Sequence, residues 1–140
     1  MQKNARPVYE VQQFLNSVKN IIKNESNVMI NNKPWNGKEN KTRTYMAETG
    51  IKKADILRIV SMLEVENYCE TRDDRNARFQ GETVWIFGIR EEIVDVEEDL
   101  YIKLKIRCLE DQLLLVMSFH PELPHSQEEK LTFPYKVYDN

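Results

Sequence analysis

The 140-residue chain is poor in glycine, cysteine and histidine, with four, two and two of each. Four glycines leave little room for a phosphate-cradling loop, and GxxxxGK[ST], GxGxxG and GxSxG are all absent. Cys69 and Cys108 form no CxxC and are too few for a disulfide framework, so both are read as thiols. His120 and His125 stand in a proline-containing stretch with no cysteine or paired carboxylate motif nearby. No metal site is expected from them, and no cofactor. Long apolar runs are missing too. The longest, such as Leu113 to Met117, fall far short of the ~20 residues that cross a bilayer. The opening MQKNARPVYEV holds no apolar run of signal-peptide length. A bacterial or phage protein of the cytoplasm, with no membrane partner, is the expectation.

Charge of one sign is not dominant overall, but it is unevenly placed. Residues 1–60 hold 11 Lys/Arg and 5 Asp/Glu; residues 61–140 hold 9 and 18. The net charge of −3 therefore averages a basic first part with an acidic remainder. A chain of this length fits one domain with its own core. The expected division of 1–140 is a mainly helical part over 1–68, a sheet over 83–120 and a tail over 121–140.

Spacings of three and four among Val8, Val11, Phe14, Leu15, Val18, Ile21 and Ile22 predict an amphipathic helix over 8–24, with Pro7 at its start. Val28-Met29-Ile30 reads as a short strand, followed by a polar loop from Asn31 to Glu39. A second helix is expected over about 41–48, stopped by Gly50, and a third over 52–63. Residues 70–82 read as a mobile polar loop. Thr83 to Ile89 reads as a strand, and Leu100–Leu109 with Gln112–Phe119 as a hairpin turning at Glu110-Asp111. Between the first two of these strands, Glu91 to Asp99 carries six acids and is read as a solvated hairpin connection. Helices followed by a strand meander make an α+β arrangement, with the helices on one face of an antiparallel sheet.

Leu100, Ile102, Leu104 and Ile106 then share one face, and Tyr101, Lys103, Lys105 and Arg107 the other. Same-face residues in a strand lie ~7 Å apart, close to the spacing of phosphates along a nucleic-acid strand. Lysine and arginine at that spacing neutralise phosphates, and tyrosine stacks a base or transfers a proton. Alternating lysines also suit an ordinary solvated strand face. A DNA-reading helix-turn-helix around Gly50 is disfavoured. Both helices there commit their apolar faces to the sheet, and 52–63 has no excess of base-reading side chains.

The ordered pieces Val18-Lys19-Asn20-Ile21-Ile22, Lys41-Thr42-Arg43-Thr44, Glu48-Thr49-Gly50-Ile51, Leu63 to Tyr68, Thr83 to Gly88, Leu100 to Ile106, Val116 to Pro121 and Phe133-Pro134-Tyr135 resemble the MqsR family of toxins, across about residues 8 to 136. These are the toxin halves of bacterial type II toxin–antitoxin pairs. The resemblance implies a RelE-like α+β fold and a metal-independent endoribonuclease, an mRNA interferase, that cuts single-stranded mRNA and inhibits translation. It also implies a cognate antitoxin as partner, with DNA met only through that antitoxin.

Carried over by position, Tyr101 and Lys103 match the family's strand Tyr-x-Lys. Tyr101 is assigned substrate positioning or proton transfer, and Lys103 the role of phosphate ligand or base. Arg107 on the same face stabilises charge. Lys105, His120 and Arg72 are candidates for RNA binding, with Arg75 and Arg78 as further charge in the 70–82 loop. Some members carry a lysine where this chain has Cys69, and Ile86 stands in place of a strand glutamine. The alternative is a non-catalytic, toxin-derived interaction or regulatory domain of a phage or mobile element.

Overall fold

The computed structural model describes residues 5–33, 39–74, 78, 81–122 and 131–136. Helix α1 spans Val8–Ile22, with Pro7 as its N-cap residue, and buries Val11, Phe14, Leu15, Val18 and Ile21. Proline's fixed φ suits a helix entrance, and Glu10 in the first turn with Lys19 in the last complements the peptide dipoles. Strand β1 is Val28–Ile30. Helix α2, Lys41–Thr49, starts where Asn40 Oδ1 accepts the Arg43 N–H at 2.9 Å. It stops at Gly50, whose φ of 79° lets its N–H reach Met46 O at 2.8 Å. Helix α3, Lys53–Val60, opens with the Asp55 carboxylate accepting the Lys52 N–H. Helices α1 and α3 fall within the spans that periodicity indicated, and α2 runs one residue past its own.

The remaining strands are β2 (Tyr68–Asp73), β3 (Thr83–Ile93), β4 (Val96–Cys108) and β5 (Gln112–Pro121). They form one five-stranded sheet in the order β1-β5-β4-β3-β2. The sheet is mixed rather than antiparallel, because β1 enters beside β5 in parallel. It also reaches beyond 83–120 at both edges, taking β1 from the part expected to be mainly helical and β2 chiefly from the segment read as a loop. Inward residues Phe87, Leu100, Ile102, Leu104, Leu114, Val116 and Phe119 close one core with the buried faces of α1 and α3. Phe14 stacks on Trp85 with ring centroids 4.3 Å apart. The α+β class is thus observed, with α1 and α3 covering one sheet face. No helix among the described residues is long and apolar enough to cross a membrane.

One segment reading is corrected and another is sharpened. The 70–82 segment is not a loop from its start, because Glu70, Thr71, Arg72 and Asp73 pair with Ile86, Trp85, Val84 and Thr83. Alternation explains it: Thr71 is buried on the core side opposite Trp85, while Glu70 and Arg72 point the other way, as suits a polar-faced edge strand. Arg75 lies outside the described residues, as do His125 and part of the loop after Asn31.

The acidic run does form a largely exposed hairpin connection, but all of it except the tip is paired as strand. Arg90, Glu91, Glu92 and Ile93 pair with Asp99, Glu98, Glu97 and Val96, leaving only Val94 and Asp95 as the turn. Both turn residues have positive φ, 49° and 67°. Such a two-residue turn matches the strand twist, but its left-handed backbone disfavours a β-branched side chain by ~1–2 kcal/mol. Replacing Val94-Asp95 with Asn-Gly is expected to stabilise the fold by about 1–2 kcal/mol, read as a raised urea midpoint with unchanged slope. An unchanged or lowered midpoint would contradict the assigned turn.

Candidate active site

The sheet face away from the helices is where the sequence placed its polar stripe. Tyr101, Lys103, Lys105 and Arg107 do project there, opposite in parity to buried Leu100, Ile102 and Leu104. They border a cleft of about 830 Å³ whose walls include Glu70 and Arg72 from β2, Ser118 and His120 from β5, and Asn31 to Lys33 after β1.

His120 reaches this face because β5 is bulged. Leu114 and Val116 face the core opposite Ile106 and Leu104, and unbulged alternation would keep Ser118 and His120 with them. The register shifts between Lys103 and Leu104, which pair with Ser118 and Val116, so Met117 is the extra residue. The shift reverses the parity. Phe119 therefore turns into the core, and Ser118 and His120 turn into the cleft beside Lys103 and Tyr101. Thr42 of α2 braces the strand here, its buried Oγ1 accepting the Phe119 N–H at 2.9 Å.

The rings of Tyr101 and His120 are cross-strand partners, stacked 5.4 Å apart at 19°. His120 Nδ1 lies 2.9 Å from Pro121 O. A carbonyl oxygen only accepts, so Nδ1 carries a proton, and in the neutral ring the lone pair sits on Nε2. Lys103 is the next cleft-facing residue along β4 from Tyr101, opposite Ser118.

Lys105 and Arg107 have a different environment. Lys105 is 1 % exposed, and its Nζ donates to Asp74 Oδ2 at 2.5 Å and Glu82 Oε1 at 3.0 Å. Arg107 grips the same Glu82 through two hydrogen bonds of 2.9 Å. These bonds, with the Lys105 ammonium, hold the Glu82 carboxyl down at about 2 against the opposing effect of burial. Asp74 and Glu82 flank the β2–β3 connection, whose ends are also joined by the Asp74 N–H to Glu82 O bond of 2.9 Å. The two cations thus clamp that connection to β4. Arg72 is salt-bridged to its neighbour Glu70.

Cys69 and Ile86 are buried, and neither belongs to the core cluster beneath the helices. Burial first, then Glu70 and Glu122, pushes the Cys69 thiol far above its ordinary range, which makes it a poor nucleophile. The expected tail is partly placed as well. Leu131 and Thr132 line the cleft, and the Leu131 N–H donates to Glu122 Oε1 at 2.7 Å. A Cβ on Gly88 would come within 2.7 Å of Leu131 and 2.8 Å of Phe133, so the bare glycine lets this segment cross β3. Tyr135 stacks on Tyr68 and donates to Arg6 O, tying the crossing to the start of α1.

Among the described residues, no group of three or more His, Cys, Asp or Glu side chains is placed to hold a metal ion. Comparison with known proteins finds no matching family model, no matching curated protein and no matching solved structure.

Proposed function

We propose that this cleft cuts single-stranded RNA by attack of the ribose 2′-hydroxyl on the adjacent phosphate, in a toxin-like endoribonuclease of RelE-like architecture. The carrying observation is that Tyr101, Lys103 and His120 line one cleft, with the two rings stacked and a lysine one same-face position away. These are the residue types that metal-independent RNA cleavage uses. His120 Nε2 takes the 2′-hydroxyl proton. The 2′-oxygen bonds to phosphorus, the bond to the 5′-oxygen breaks, and the Tyr101 hydroxyl gives that oxygen a proton. Lys103 neutralises the charge that builds on the non-bridging oxygens. The products are a 2′,3′-cyclic phosphate and a 5′-hydroxyl.

Arg107 and Lys105 leave the reacting set in this scheme, since each already serves a carboxylate. Arg72 stays at the cleft wall, on the side of Glu70. The resemblance to MqsR-family toxins supports the reading and adds its partner, a cognate antitoxin protein that keeps the cleft from mRNA.

One observation favours the second reading, a non-catalytic interaction domain on the same scaffold: Lys105 and Arg107 of the stripe are bonded to Asp74 and Glu82. Incubation with single-stranded RNA in EDTA separates the two. Cleavage supports the ribonuclease, and an intact strand supports the interaction domain.

A further inference from the structure

The proposed chemistry occupies only part of the cleft. Next to it the floor becomes apolar. Met29 of β1 and Leu115 of β5 are cross-strand partners, and Met117, the bulge residue, sits beside Ser118. All three line the cleft, and Met29 is 58 % exposed. A methionine so open at a strand edge contributes little to the core, and with Leu115 and Met117 it makes a contiguous apolar patch in the cleft.

The rim above this floor is fixed. Asn40, already the cap of α2, donates through Nδ2 to Asn31 O at 3.1 Å and Lys33 O at 2.9 Å, while the Asn31 N–H donates to Val116 O. Exposed Asn31 and Asn32 therefore stand over a preformed apolar shelf. Leu115 opposes Lys105, and Ser118 opposes Lys103. The shelf thus begins one diagonal cross-strand step, ~7–8 Å, from the proposed phosphate ligand. That step is the reach from a phosphate to the base of the adjoining nucleotide.

We propose that Met29, Leu115 and Met117 form a nucleobase subsite, which seats one base of the RNA flat against the sheet beside the reacting phosphate. The proposal rests on the ribonuclease reading for its ligand. Thioether and aliphatic side chains pack against a π face, and the neighbouring cation supplies the complementary charge for the strand.

The test is fluorescence anisotropy of the full chain with a short 2′-fluoro RNA, which offers no 2′-hydroxyl nucleophile. The same strand is measured with an abasic site at each position in turn. One position is expected where losing the base weakens binding roughly tenfold, within the range of a stacked base. In Met29→Ala and Leu115→Ala proteins that difference should shrink to about twofold or less. Met62→Ala, a change outside the cleft, should keep it.

Absence of binding, equal binding of all abasic strands, or a difference that persists in both cleft variants would overturn the subsite. A parallel reaction with the all-ribose strand separates the two proposals. Base-dependent binding without cleavage overturns the ribonuclease and keeps the subsite. Cleavage without base dependence overturns the subsite alone.

Discussion

Lys103→Ala is expected to lower RNA cleavage by about 10²–10³-fold, the loss typical of removing one preorganised charge from a developing oxyanion. Lys103 faces the cleft between buried neighbours Ile102 and Leu104, which anchor this stretch of the strand in the core. The variant should therefore still fold, with a native circular-dichroism spectrum, while the rate falls. Lys103→Arg should restore part of the rate, because charge is retained but its position changes. His120→Ala should lose activity to a similar degree and also flatten the rate's rise with pH, since it removes the proposed base. Single-turnover cleavage rates for the three variants are the measurement. Equal rates for wild type and Lys103→Ala would place the chemistry elsewhere.

The largest expected stability effect lies at the Lys105 clamp. Lys105→Met keeps the aliphatic stem but takes the ammonium from Asp74, whose side chain is 7 % exposed, and from Glu82. Leaving a buried carboxylate without its cation destabilises by about 3–5 kcal/mol. Pairing the change with Asp74→Asn should recover part of that loss, because the stranded charge is then gone. Urea unfolding of the two single variants and the double variant measures the coupling. A Lys105→Met loss below about 1 kcal/mol, the scale of an exposed ion pair, would mean that the clamp is not load-carrying.

Acid should act on the same cluster through Glu82. Its carboxyl is depressed from 4.5 to about 2, so the stabilisation it contributes is complete above about 4.5 and fades as pH falls through about 2. Glu82→Gln should remove that part of the acid limb.

The clamp also shows where sequence reading stops. The stripe itself was legible, because strand parity alone places Tyr101, Lys103, Lys105 and Arg107 on one face. Which of these cations meet carboxylates was not. Asp74 and Glu82 are 31 and 23 residues from Lys105 in sequence, and the pairing of β2, β3 and β4 in one sheet brings them to it.

His120 was ambiguous for a different reason. The bulge at Met117 has no glycine or other signature in the sequence, yet it reverses the side on which His120 emerges. Local chemistry gave the helices and the Gly50 stop, where apolar period and a left-handed glycine agree. It missed β2, whose cleft-side residues are charged, and the Val94-Asp95 turn, which lacks the Asn-Gly such turns favour. What local pattern determines was readable, and what depends on pairing across the sheet was not.

The most direct test of the central claim is the end chemistry of RNA cut by the purified chain in EDTA. The account predicts fragments ending in a 2′,3′-cyclic phosphate or its 3′-phosphate hydrolysis product, with 5′-hydroxyl partners, and their loss in the Lys103→Ala protein. Intact RNA, or fragments bearing 3′-hydroxyl and 5′-phosphate ends, would contradict it.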